Sequence, residues 1–230
     1  MSWREFWNRE NSIYVSPRHR ALHYDGIAKG INAQIEDESW VVLDHGSGEA
    51  PSADLVARRC ARLYLYDAAP IVQTKQRLQF GRNEKIVVLD ASGVEEIPAG
   101  SLDMVVANSL IQYLSRAELE HLLDSWHGKL KPGGKLVLAD VIPEGATAAN
   151  DIRALLGFAF RGGFFLEACA GLVSTFFSDY RKLRTELGLS RYREADLLAL
   201  IGAHGFVEAR RGEPNIGHNQ GRMLFTARRS

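Results

Sequence analysis

Residues 41–50 read VVLDHGSGEA. The first half is an apolar, β-branched run ending in Asp44, and the second is a turn through Gly46, Ser47 and Gly48 that leads to a helical pattern from Ala53. A strand that enters a glycine loop and then a helix lets a ligand approach the backbone where Cβ atoms would obstruct it. Working outward, strand-like runs fall at Trp40–Asp44, Arg62–Asp67, Lys85–Asp90, Leu102–Asn108 and Lys135–Val141. Each is apolar nearly throughout, as strands are when helices cover both faces of their sheet. Between them Ala53–Cys60, Ile71–Phe80 and Arg116–Leu130 read as helices. The third opens on Ser115 with Glu118 three residues later, a capping-box pattern, and stops at Lys131-Pro-Gly-Gly. The alternation predicts an α/β fold with a doubly wound, mainly parallel sheet.

The flanks differ. Pro17–Ile35 reads as a helix whose apolar face carries Leu22, Ile27, Ala28, Ile31 and Ile35. After the fifth strand, residues 146–190 hold Phe- and Gly-rich helical segments and no clear strand. Glu194–His204 then reads as a helix, and Gly205–Arg210 and Arg222–Arg228 as the last strands. The whole, 1–230, is expected to be one domain with an N-terminal helical segment (1–38) and a helical lid (146–190).

Lys and Arg number 28, as do Asp and Glu, and this balance argues against a nucleic-acid partner. Cys60 and Cys169 are too isolated to suggest a disulfide framework or a metal-binding CxxC pair. The N-terminal MSWREFWNRE lacks the apolar stretch of a signal peptide, and no run approaches the ~20 apolar residues of a membrane span. A cytoplasmic protein acting on a small molecule, without a metal, is expected.

Two further strands end in acids. Asp67 lies 23 residues after Asp44, placed to accept hydrogen bonds from ribose hydroxyls, and Asp90 is placed to accept one from an adenine amine. The segments VLDHGSGEA, LYLYDAAP, VVLDASGVEEIPAGSLDMVVANSLIQYL and LKPGGKLVLADVIP resemble, in order and spacing, successive blocks of the class I S-adenosylmethionine-dependent methyltransferases. The resemblance covers residues 40–142. It implies a Rossmann-like seven-stranded sheet with an antiparallel final strand, and S-adenosylmethionine as cofactor with S-adenosylhomocysteine as product. Carried over, it places Asp44, Gly46 and Gly48 under the methionyl part, Asp67 on the ribose, and Asp90 with Ala91 on the adenine. Asn108 and Ser109 then face the methyl group, and Ser47, Ala68 and Tyr14 complete the cofactor set. The sequence departs from the family's DxGxGxG at Ala50, which Glu49 precedes. Pro51 stands where a dinucleotide-binding GxGxxG would need its third glycine.

For the acceptor, His19 and His23 share a helical face at i and i+4, between Tyr14 and Tyr24. His218 and Asn219 lie in RRGEPNIGHNQG, whose tip belongs on the same sheet edge. His19, His23 and His218 are the candidate proton acceptors. Phe158, Phe160, Phe164, Phe165, Phe176 and Phe177 suggest a lid over an apolar or aromatic acceptor, with Gly162-Gly163 as a hinge. Residues 151–193 carry seven Arg or Lys against four acids. Two further readings stay open: a non-catalytic adenosyl-binding regulatory domain, and a methyltransferase meeting a lipid or quinone at a membrane surface.

Overall fold

The computed structural model describes residue 8, residues 14–175 and residues 189–230. Its strands are β1 (Val41–His45), β2 (Arg62–Tyr66), β3 (Ile86–Leu89), β4 (Leu102–Asn108), β5 (Leu130–Val141), β6 (Phe206–Gly212) and β7 (Met223–Arg229). They form one seven-stranded sheet in the order β3-β2-β1-β4-β5-β7-β6. Neighbours from β3 to β5 pair in parallel, while β7 runs antiparallel to both β5 and β6. The strand order reverses between β1 and β4. Their C-terminal loops therefore diverge to opposite faces and open a crevice, the usual ligand position in such sheets.

The helices are α1 (Pro17–Asn32), α2 (Ala53–Ala57), α3 (Pro70–Phe80), α4 (Ala91–Glu95), α5 (Arg116–Lys129), α6 (Ala148–Gly162), α7 (Phe165–Thr175) and α8 (Glu194–Ala203). Alternation along each strand divides the core between two faces. Leu43, Leu136 and Leu138 pack with Leu119, Leu123 and Trp126 of α5 and Leu197, Leu200 and Ile201 of α8. On the other face Val42, Val137 and Ala139 pack with Ala28 and Ile31 of α1 and Val56 of α2. The capping box of α5 is formed: the Glu118 amide donates to Ser115 Oγ, and the Ser115 amide to Glu118 Oε2 at 2.8 Å.

Several boundaries differ from the sequence reading. α1 ends at Asn32 and α2 at Ala57, short of Ile35 and Cys60. After α2 the chain must turn, because the Ala61 amide already bonds the Trp40 carbonyl on the way into β2. Leu130 pairs with Leu102, so β5 begins there and not at Lys135. Lys131-Pro-Gly-Gly is then an irregularity inside the strand, with Gly133 at φ +74°. α4 and a 3-10 turn at Ile111–Tyr113 had no sequence signal.

Within 146–190, α6 and α7 form a hairpin closed by Gly163 at φ +71°, where the Phe164 amide bonds the Ala159 carbonyl. A Cβ on Gly162 would come within 2.6 Å of the Phe164 ring, so the glycine pair is a packed helix cap and not a free hinge. Ala159, Phe164 and Ala168 pack with Val15 and Leu22, docking the hairpin on the start of α1. Phe176 and Phe177, with Arg181, Lys182 and Arg184, lie outside the described residues. No described helix is long and apolar enough to cross a membrane. Leu43 is fully buried at the centre of the sheet. Leu43→Ala is expected to lower unfolding stability by about 2–5 kcal/mol, read as a lower urea midpoint.

Candidate active site

The loop after β1 is held by the end of β2. The amides of Gly46 and Ser47 donate to the Tyr66 carbonyl at 2.8 and 3.0 Å, and the Gly48 amide donates to Asp67 Oδ2 at 3.0 Å. Gly46 sits at φ +82° with Leu110 against its Cα, where a Cβ would approach Leu110 to 3.0 Å. Ala50, at the position of the missing glycine, is left-handed too, at φ +42°. The preceding Glu49 anchors this strained turn by pairing with Arg20 of α1 and Lys75 of α3. Gln76 of α3 donates to Ser47 Oγ and to the Gly48 carbonyl.

A cavity of about 1030 Å³ opens over this loop. Its wall on the side of β1 and β2 includes His45 to Glu49, Tyr66 to Ala68, Ile71 and Val72. The far wall includes Asn108 to Leu110, Gln112, Asp140, Leu155, His218 and Arg222. The expected residues Tyr14, Gly46, Ser47, Gly48, Asp67, Ala68, Asn108 and Ser109 all border it, as do His19, His23, His218 and Asn219. Asp44 lies beneath the loop. Burial and the nearby Asp67 carboxylate push it up to about 7, and its Oδ1 accepts no hydrogen bond among the described residues. Asn108 Oδ1 is likewise buried without a donor. Asp67 is raised by burial, although the Ala69 and Gly48 amides bond its charged form.

Asp90 and Ala91 lie apart from this cavity. The Asp90 side chain caps α4, accepting from the Gly93 amide and Ser92 Oγ, and its carboxylate is 56% exposed. β3 is the edge strand, so an acid at its end is carried away from the crevice between β1 and β4. The lid phenylalanines differ from expectation as well. Phe164 is fully buried, stacked on His19 at 5.0 Å, and Phe158 stacks on His218 at 4.7 Å, while Phe160 is 77% exposed and Phe165 partly so. None of these four lines the cavity; α6 reaches it through Asp151 and Leu155.

His19, His23 and His218 gather with ring centroids 5.7–6.4 Å apart. Burial and mutual repulsion lower His19 to about 4 and His23 to about 3, and burial lowers His218 as well. All three are neutral near pH 7. Among the described residues no group of His, Cys, Asp or Glu is placed to hold a metal ion. His19 Nδ1 accepts from the Val15 amide, tying the ring to the start of α1.

Three wall residues, His45, Arg222 and Asp140, and Asn215 behind them escaped the sequence reading. His45, lowered to about 4 by burial, accepts from Trp126 Nε1 at 3.2 Å and meets Tyr66 edge-on. Arg222 forms a two-pronged pair with Asp151, at 2.8 and 2.9 Å, across 71 residues of sequence. Asn215 donates from Nδ2 to the Asn219 carbonyl and accepts from the Asp140 amide. Asp140 ends its strand as Asp44 and Asp67 nearly do, so the signal was present in LADVIP.

The sheet order and its crevice define the class I methyltransferase architecture. Residues 43–138 match the sequence family described as Methyltransferase domain. Residues 43–138 therefore carry the sequence pattern of a methyltransferase domain within a sheet of class I methyltransferase topology. No curated protein sequence matches it. Among solved structures, human N-acetylserotonin methyltransferase in complex with SAM superposes with TM-score 0.57 at 13% identity, over 93% of this chain and 53% of that one. Magnesium protoporphyrin IX methyltransferase from Synechocystis with bound SAM gives TM-score 0.57 at 13% identity, over 99% and 89%. The pyocyanin biosynthetic protein PhzM gives 0.63 at 15%, over 100% and 62%. At these identities the likeness is one of fold. The chain spans about half the length of the human protein, 53%.

The histidine cluster makes a testable prediction. A histidine whose folded pKa lies below its unfolded value contributes stability above pH 6.5, and that contribution is lost as pH falls toward the folded value. Buried Asp44, Asp67 and Asp140 act in the opposite sense, so the readout is a difference between proteins. Relative to wild type, His23→Leu should gain up to about 1.4 kcal/mol per pH unit between pH 6.5 and 5 in parallel urea titrations. A constant difference would show that His23 is not held neutral.

Proposed function

We propose that the protein transfers a methyl group from S-adenosylmethionine to a small, largely apolar organic acceptor, within one domain lidded by residues 146–190. The observation that carries this reading is the single cavity joining the glycine loop to the Asn108, Asp140 and His218 wall. Its roughly 1030 Å³ is at the upper end for one small ligand and suits two ligands end to end. Two of the fold neighbours are named for small organic acceptors, N-acetylserotonin and magnesium protoporphyrin IX.

The residues present fit the cofactor. The orphaned oxygens of Asp44 and Asn108 lie buried where a cationic methionyl end needs acceptors, and the glycine loop leaves the backbone open. Asp67 would take the ribose hydroxyls, beside Ala68. Gly46, Ser47 and Gly48 would line the methionyl part, with Tyr14 covering it and Ser109 near the methyl. Asp90 and Ala91 lie outside the cavity lining, and the Asp90 carboxylate caps α4. When bound, the sulfonium supplies an electrophilic methyl for in-line displacement. The chain's part is to align the acceptor, exclude water and receive a proton where the acceptor carries one.

The histidines fit best as a neutral wall. Imidazoles lowered to about 3 and 4 have little driving force to take a proton near pH 7, which argues against His23 and His19 as bases. His218 belongs to the same wall. Asp67→Ala should weaken S-adenosylhomocysteine binding at least tenfold, about 1.4 kcal/mol, by titration calorimetry. Equal affinity would remove the ribose assignment.

A second reading has support in α6 and α7, where Phe160 and Leu166 are 77% and 80% exposed and Arg161 follows Phe160 in the sequence. Such a surface suits an acceptor embedded in an anionic membrane. Co-sedimentation with anionic vesicles, reduced by Phe160→Ser with Leu166→Ser, would support it, and absence from the pellet would dismiss it.

A further inference from the structure

Asp140 is built into the far wall with unusual care. It and Ser109 follow the buried stretches of adjacent strands, and both are non-glycine residues in the left-handed region, at φ +56°. Such strain persists only where the surroundings impose it, and it gathers at functional sites. Here Ser109 Oγ donates to Asp140 Oδ2 at 2.6 Å, while the Asp140 amide donates to Asn215 Oδ1 at 2.9 Å. Asn215 is itself 7% exposed and locked by bonds with Gln220 and Asn219. Three chain segments thus fix one carboxylate on the cavity wall.

Its electrostatic setting is also particular. The cations on the described wall are each paired with another acid: Arg20 and Lys75 with Glu49, and Arg222 with Asp151. Asp140 feels Arg222 and Asp151 with opposite signs, and burial raises its pKa above the ordinary carboxylate value. A carboxylate so placed is a stronger base than a solvated one. An anionic acceptor would meet this acid without a free cation to balance it.

We propose that Asp140 is the group that takes the proton from the acceptor, and that the acceptor atom is a neutral hydroxyl, of the phenolic class, held at the Asn108–Ser109–Asp140 end of the cavity. The inference rests on the methyltransferase reading above. The acceptor O–H bond breaks as its proton passes to the Asp140 carboxylate. The oxygen forms a bond to the methyl carbon, and the methyl–sulfur bond breaks with its electron pair staying on sulfur, leaving a neutral thioether. Ser109 and Asn215 are positioning residues. The Ser109 bond holds Asp140 Oδ2 in place.

The test uses the purified full-length protein, Asp140→Asn and Ser109→Ala. S-adenosylhomocysteine affinity is measured by calorimetry, and methyl transfer to catechol, 2-naphthol, 4-nitrophenol and aniline by release of S-adenosylhomocysteine. Asp140→Asn should keep its S-adenosylhomocysteine affinity within twofold and lose at least 100-fold in kcat/KM on catechol or 2-naphthol. It should lose under tenfold on 4-nitrophenol at mildly alkaline pH, where that phenol is already ionised and needs no base. A merely structural role would depress all phenols alike. Ser109→Ala should lose less than Asp140→Asn on catechol and 2-naphthol and under tenfold on 4-nitrophenol. Equal losses on every phenol, retained activity on catechol and 2-naphthol, or a wild type that methylates aniline alone or none of the four would overturn the proposal. Failure of the wild type to bind S-adenosylhomocysteine would instead overturn the underlying function.

Discussion

The Tyr66 carbonyl at the end of β2 receives two amides, those of Gly46 and Ser47, from the loop that leaves β1. This pair of bonds forces the chain to turn at once, and the turn is affordable because Gly46 takes φ +82°. Much else depends on it. With the loop folded across the end of β2, the Gly48 amide reaches Asp67, Gln76 can grip Ser47 and Gly48, and Glu49 is delivered to Arg20 and Lys75. The same turn leaves the crevice between β1 and β4 unfilled.

Around that crevice the protein concentrates groups that burial makes uncomfortable. Acids ring the sheet edge, and burial raises Asp44, Asp67 and Asp140 toward their neutral forms. The imidazoles opposite are driven the other way and carry no charge near neutrality. A cationic ligand entering such a site relieves the acids without having to displace fixed cations. Stability and function therefore pull against each other here, a common condition of binding sites.

The N-terminal helix and the lid are coupled through this region. α1 contributes His19, Arg20 and His23 to the cavity, and its opposite face packs Ala28 and Ile31 into the core with α2. The α6–α7 hairpin rests on α1 through Phe164 and the His19 ring, and Arg18 reaches the Gly162 carbonyl. Anything that moves the lid therefore acts on the wall that holds the histidines.

The sequence by itself determined the sheet and its glycine loop. Buried parallel strands must be apolar on both faces, and a strand that ends in Asp and glycine announces itself locally in VVLDHGSGEA. The capping box at Ser115 and Glu118 was legible for the same reason, since its partners are three residues apart. What only the tertiary structure decided was which residues face the cavity. Asp90 matches Asp67 in sequence, yet the position of β3 at the sheet edge leaves it capping a helix in solvent. Phe158 and Phe164 read as substrate contacts but pack on histidines from the β6–β7 loop and α1. The Arg222–Asp151 pair and the clamp of Asn215 on Asp140 join segments 71 and 75 residues apart. No local pattern encodes such contacts, because they arise only when the order of strands brings distant loops to one end of the sheet.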